Sequence, residues 1–430
     1  MNLFKKQLKF KSIDQSEMPA MLWSMLFFAL LMASYAILRP IRNEMGIING
    51  VSSLHWLFTA TFLATALFAP FFGFIASKIG FEELLTKVYI FFLLNIFAFY
   101  VLFKANVFSD ILPSVFFIWL SIFSLYTISL FWSLMLNIYS NAQSKRLFGI
   151  ISAGGSLGSL LGSFVITPLS FILNFESFLL LSALFLFLAF ISLKKLLKYQ
   201  RLESLSEDNN HRRFQNSFFK KARIRESFKQ ILSSKYIIGV LLFVFFYTAI
   251  STFIYFEQAN LVDQTIVTSK ERIGYFSSVD LIVNSLAIFG QLYISNKIFS
   301  RYELYKILSI VPIVIAVGLI LLSIHTTLYV IALLMIFYRL SNLILLRPGR
   351  EMLFAIKKRK NSHITKSFID TSVYRAGDFA SGWFFTLCIS IGFGLSAIAI
   401  IIIPFILVWG YLGYKIGKKH IQLVKSISTK

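Results

Sequence analysis

Apolar runs of about twenty residues recur twelve times along this chain, and each is long enough to cross the ~30 Å hydrocarbon layer of a bilayer as a helix. They fall near residues 19–42, 54–77, 87–105, 111–138, 147–170, 176–194, 235–257, 273–296, 305–324, 327–352, 367–390 and 393–416. A chain patterned this way has too much apolar surface for an aqueous core. Of its 430 residues, 57% are hydrophobic and only 14% charged, where soluble domains carry about a quarter charged. Its 49 Phe demand lipid or a very large interior. The first run, Met21 to Leu38, is longer than the apolar core of a signal peptide and no small-x-small site follows it, so it reads as a retained first span. The expectation is an all-α membrane protein with twelve transmembrane helices.

The runs divide six and six around the polar, basic stretch Lys195 to Ser234, which has no apolar period long enough to cross. This predicts a bundle over 1–194, a linker over 195–234 and a second bundle over 235–430. Of the 42 Lys and Arg residues, 35 lie in the termini, the linker and the loops on their side. The other side holds Arg39, Arg42, Lys104, Lys270 and Arg272. By the bias of positive loops towards the cytoplasm, both termini and the linker are cytoplasmic. The net charge of +23 then faces anionic headgroups and is no sign of nucleic-acid binding. Two such halves are the layout of major facilitator secondary transporters, which the chain resembles. The segment "FGFIASKIGFEELLTK" at 72–87 is similar to that family's loop after span two, without its Asp. Gly154, Gly158 and Gly162 in "GGSLGSLLGSF" share one helix face, where they allow a neighbouring helix to approach; no Lys-Ser/Thr follows to make a phosphate loop.

A charge at mid-bilayer costs about 3 kcal/mol or more, so those retained need partners or water and mark a pathway. Candidates are Asn137 in span four, Asp280 in span eight, Arg339 in span ten, and Asp370, Tyr374, Arg375 and Asp378 in span eleven. Arg339 and Asp378 each lie ~18 Å from the start of their spans, near the bilayer centre. Arg375 and Asp378 are three apart and can pair; Asp370, Tyr374 and Asp378 share a face. Two readings stand: a structural ion pair, or a clamp in which Arg339 and Arg375 hold an anion by their planar forks, with Asp378 releasing Arg375 to it. Asp280, Asn137 and Tyr374 complete the expected binding set.

Two short stretches, "ILRPIRNEM" at 37–45 and "LLRPGREMLF" at 345–354, repeat one charged pattern at the ends of spans one and ten. Arg39, Arg42 and Glu44 would guard one membrane face, and Arg347, Arg350, Glu351 and Asp370 the other, as gates that pair when a door is shut. Pro40 and Pro348 would break the backbone ladder where each helix ends or bends. The alternative is a pair of interfacial anchors with snorkelling side chains.

The Pro348, Arg350, Glu351, Met352 run, followed by "KSFIDTSVYRAGDFASGW", resembles the second half of ATP/ADP translocase-type nucleotide exchangers, with Asp370, Arg375 and Gly377 in similar order. Arg39, Arg42 and Glu44 are similar to that family's first-span ending. The resemblance implies exchange of nucleotides, their phosphates neutralised by basic side chains. This chain is shorter and has no Lys deep in a span, so another polyanion, for example a citrate-like carboxylate or carboxylate siderophore, is a further expectation.

The reading is therefore a secondary active transporter of an organic anion, a monomer in a bacterial inner membrane that needs no cofactor. Proton-coupled symport or export, with Asp280, Glu257 or Asp378 titrating, is the alternative. An enzyme is not expected: the five His lie in loops or at span ends, with no metal-binding spacing and no nucleophile elbow. A scaffold or sensor would leave the midplane charges without a task.

Overall fold

The computed structural model describes residues 16–204, 234–354 and 373–428. Asp370 lies outside the described residues. Within them regular structure is helical throughout, because in hydrocarbon a backbone must satisfy its own N–H and C=O groups. The first half holds α1 (Met18–Ile48), α2 (Leu54–Lys78), α3 (Phe81–Lys104), α4 (Leu112–Ile138), α5 (Asn141–Leu169) and α6 (Phe175–Ser204). The second holds α7 (Lys235–Thr265), α8 (Ser269–Arg301), α9 (Leu304–Ile324), α10 (Leu328–Phe354), α11 (Tyr374–Ser390) and α12, which starts at Leu395 and resumes at Ile403. Among the described residues, eleven helices are long and apolar enough to span, by length and composition. The described part of α11 has 17 residues; what precedes it is outside the described range.

Span one does not end at its charged cassette. The helix runs through Pro40 to Ile48, so Arg39, Arg42 and Glu44 sit within it. Proline removes one ladder bond, and here that does not break the helix. In α8 and α10 the winding loosens instead: Gly290–Ile294 and Asn342–Leu346 are π-helical. The second precedes Pro348 by two residues, the kind of local adjustment that lets a spanning helix carry proline. The two π segments meet: Ser295 Oγ donates to the Ile344 carbonyl (3.0 Å), and a Cβ on Gly290 would collide with Ile344.

The chain forms two compact units, one of residues 1–42 and 70–219, the other of 43–69 and 220–430. In the first unit the glycine face of α5 lies directly on α1. A Cβ on Gly154 would stand 2.6 Å from the Met25 carbonyl oxygen, on Gly158 1.9 Å from that of Ala29, and on Gly162 2.6 Å from that of Ala33. Side chains of any size there would force the backbones apart, which is why small residues recur at four-residue spacing. Buried hydroxyls add bonds between helices: Ser34 with Ser182 at 2.8 Å, and Tyr89 Oη donating to the Thr127 carbonyl at 3.0 Å. Phe27 and Phe28 fill the space around Phe131.

The second unit repeats the device between α11 and α7. A Cβ on Gly377 of α11 would meet Thr248 of α7 at 1.9 Å, and one on Gly382 would touch Phe256. Gly410, Gly413 and Gly417 of α12 approach Pro312, Leu308 and Tyr305 of α9 in the same manner. The outward faces keep large apolar groups exposed, such as Leu94 in the first unit and Leu333 in the second, as lipid requires.

Candidate functional site

Asp280 lies eleven residues in from Ser269 on α8, and Arg339 eleven residues in from Leu328 on α10. At 1.5 Å per residue both are ~17 Å along their helices. Equal depth brings them together: Arg339 Nη1 pairs with Asp280 Oδ1. The carboxylate is 2% exposed as a residue, while the Arg339 side chain keeps 15% of its surface accessible.

A second pair lies on α11, where Arg375 Nη1 reaches Asp378 Oδ2 at 3.3 Å across one turn. The other oxygen of Asp378 accepts a 2.7 Å bond from Thr252 Oγ1 of α7. That bond depends on the close approach permitted by Gly377, one residue before Asp378. Arg375 is 22% exposed at its side chain and Asp378 only 7%. Each acid is thus buried with its arginine outermost. A guanidinium so placed can exchange one carboxylate partner for another oxyanion without changing geometry.

Three tyrosines connect the two pairs. Tyr338, adjacent to Arg339, stacks on Tyr247 with ring centroids 5.7 Å apart and donates to the Tyr247 carbonyl at 2.9 Å. Tyr374, adjacent to Arg375, meets Tyr247 edge-on at 6.2 Å. Arg347 and Arg350 lie within electrostatic reach of the same ring. Sequence reasoning reached Tyr374 but missed Tyr247, Tyr338 and Thr252. A signal was present: the dipeptide Tyr-Arg occurs at 338–339 and again at 374–375.

The first charged cassette divides its contacts. Arg42 donates from Nε to the Phe117 carbonyl (3.3 Å) and lays its guanidinium 3.8 Å above the Phe117 ring, both within the first unit. Glu44, fully buried, accepts a 2.6 Å bond from Ser269 and faces Arg272 at 3.8 Å; Arg272 in turn reaches Asp263 at 3.1 Å. These four are in the second unit. They join the end of α1 to the turn between α7 and α8. The sequence shows Arg272 only as one of the loop charges, because its partner lies over two hundred positions away. Of the remaining expected residues, Asn137 belongs to the first unit and is exposed in the last turn of α4. Arg39 lies on α1, and Glu351 on the last turns of α10.

No curated protein matches this sequence. Solved structures that resemble it are transporters. A bacterial homolog of the human lysosomal transporter Spinster, inward-facing and unoccupied, has 14% identity and a TM-score of 0.61, covering 96% of this chain and 99% of that one. The nucleoside transporter NupG has 13% identity and a TM-score of 0.59, covering 96% and 100%. The inward-open xylose transporter XylE from E. coli has 12% identity and a TM-score of 0.56, covering 94% and 95%. At such identities the likeness shows a shared fold. The Major Facilitator Superfamily description matches residues 19–348 directly. With this match over most of its length, the chain belongs to the Major Facilitator Superfamily.

Proposed function

We propose that this transporter carries an organic polyanion by alternating access, binding it at Arg339 and Arg375. The observation that carries this reading is the pair of partly accessible guanidinium groups, each backed by a buried Asp and joined through stacked tyrosines. Substrate oxyanions would take over the bidentate face of each arginine, leaving Asp280 and Asp378 to hold the emptied site between cycles. Tyr247 and Tyr338 are buried against each other, which leaves the half-buried Tyr374 ring as the wall that a nucleotide base could lie against beside its phosphates. A polycarboxylate such as citrate meets the same arginines without using that wall. The ATP/ADP translocase-type resemblance favours the nucleotide. We place the protein as a monomer in a bacterial inner membrane, with its basic loops and both termini in the cytoplasm.

Thermal unfolding of the purified protein with ATP, citrate or a carboxylate siderophore tests this. A ligand at about 100 times its Kd stabilises by about 2.7 kcal/mol, and one of these anions is expected to raise the transition accordingly. Arg375→Gln should weaken that anion at least about tenfold, or 1.4 kcal/mol. An identical response from wild type and Arg375→Gln would place the anion elsewhere.

Glu44, Ser269, Arg272 and Asp263 form the latch of the outer gate in this reading, whereas Arg42 anchors α1 against Phe117. Arg347, Arg350, Glu351 and Asp370 guard the inner mouth. Glu44→Gln should loosen the latch, since a neutral amide holds Arg272 less strongly than a carboxylate. Backbone hydrogen–deuterium exchange across 263–272 is then expected to quicken; unchanged exchange would leave Glu44 without a gating role.

A further inference from the structure

At the membrane face where α9 begins and α12 ends, the second unit gathers phenols and cations on one spot. Tyr305 lies in the first turn of α9, and Tyr414 lies 19 residues past Leu395 on α12, ~28 Å along it. Both rings therefore stand at the edge of the ~30 Å hydrocarbon layer. Lys306, in the first turn of α9, and Lys418, one turn beyond Tyr414, extend from there to the level of lipid phosphates. The two rings meet edge to face with centroids 5.3 Å apart. Gly417 makes this possible by letting α12 touch α9: a Cβ there would stand 2.5 Å from the Tyr305 Cα.

Two ammonium groups converge on this pair. Lys418 Nζ lies 4.5 Å from the Tyr414 ring centroid and 5.9 Å from that of Tyr305, and Lys306 Nζ lies 5.8 Å from Tyr305. Each is attracted by the ring, yet two like charges drawn to one ring repel each other. Arg301 adds a third cation from the turn before α9, its guanidinium 5.9 Å from the Tyr302 ring. All three are exposed, and none forms an ion pair among the described residues. Glu303 is the acid whose field reaches Lys418, and it does so from beyond ion-pair contact. Beside them a hollow of about 420 Å³ opens among the ends of α8, α10 and α12. Arg301, Tyr302 and Glu303 line it with polar groups, and Leu304, Met352 and Ile421 with apolar ones. Leu304 adjoins Tyr305, and Ile421 lies one turn past Lys418, so hollow and cations form one surface. An interfacial belt of aromatic and basic residues accounts for single side chains around helix ends. It does not account for uncompensated cations held together beside a concave apolar surface.

We propose that this surface is a site for one anionic phospholipid of the adjoining leaflet. Lys306 and Lys418 hold the phosphate oxygens, Arg301 adds its charge, and the glycerol with the first methylenes of an acyl chain fills the hollow over Leu304, Met352 and Ile421. The phosphate offsets the repulsion between the two ammonium groups and ties α9 to α12. A free phosphate would satisfy the cations but leave the apolar part of the hollow to water, so the surface favours a lipid. The site stands apart from the arginines at mid-span and does not depend on what the protein carries.

Native mass spectrometry of the full-length protein, released from micelles with equal amounts of phosphatidylglycerol and phosphatidylcholine, counts the lipids it retains. Wild type is expected to keep one phosphatidylglycerol in preference to phosphatidylcholine. The double variant Lys306→Gln with Lys418→Gln should hold that lipid about tenfold more weakly or worse. Lys195→Gln with Lys198→Gln is the control: it removes two exposed charges from α6 on the same membrane face and should retain the lipid as wild type does. No preference in wild type, or equal retention by wild type and the Lys306/Lys418 variant, overturns the proposal. Equal loss in both double variants also overturns it, because the attraction is then diffuse. Thermal unfolding in neutral detergent separates the two sources of phosphate. Added phosphatidylglycerol is expected to raise the wild-type transition more than that of the Lys306/Lys418 variant; inorganic phosphate raising it equally would make this a free-anion site and overturn the lipid.

Discussion

Replacing Asp280 by Asn is expected to cost about 3 kcal/mol of stability and to stop transport. The reason is electrostatic. Arg339 sits ~17 Å along α10, deep in a spanning helix, and its carboxylate partner is almost wholly buried. Removing the negative charge leaves a guanidinium in surroundings that cannot solvate it fully. The double variant Asp280→Asn with Arg339→Gln removes both charges and should recover much of the lost stability, as paired charges do in a mutant cycle. Transport separates the two roles this pair could have. If Arg339 holds the anion, the double variant regains thermal stability but not uptake. If the pair serves only to fix α8 against α10, both return together. Detergent thermal unfolding and uptake of ATP or citrate by proteoliposomes provide the two readouts. An Asp280→Asn protein as stable and active as wild type would remove the pair from both accounts.

Gly158→Val should be more disruptive to assembly than any single charge change in the first unit. The Cβ would stand 1.9 Å from the Ala29 carbonyl oxygen, and that atom belongs to a backbone that cannot swing aside. Either α5 retreats from α1 along its length or the helix pair fails to form. Overpacking of this kind costs up to about 3 kcal/mol or more, and in lipid there is little hydrophobic drive to re-form the contact. Low yield of folded protein and a lowered unfolding transition are expected. Gly149→Val is the matched control, since its Cβ meets nothing within 4 Å, and should stay within about 0.5 kcal/mol of wild type. Equal behaviour of the two variants would mean that α1 and α5 do not depend on the glycine face.

Periodicity accounts for what the sequence revealed well. The glycines of α5 could be assigned to packing from the sequence alone, because residues four apart must share a helix face whatever surrounds them. The same reasoning placed Arg375 beside Asp378. It could not pair Asp280 with Arg339, since nothing local relates residues 59 positions apart; equal depth was readable, but adjacency of α8 and α10 was not. Tyr247 was passed over as one more aromatic in an apolar run. Its role arises only where Tyr338 and Tyr374 converge on it.

The charged cassette of span one shows the limit clearly. Its pattern suggested a single gate at a helix end, yet the helix continues to Ile48 and divides the cassette, with Arg42 on Phe117 and Glu44 on Ser269 and Arg272. Hydropathy, charge placement and helix period are properties of the chain itself, and they determined the number of spans, the membrane class and which residues could share a face. Which acid meets which base, and that Glu257 meets none among the described residues, depends on the approach of helices distant in sequence. Only their packing could decide it, because a buried carboxylate is defined by the donors brought within about 3 Å of it.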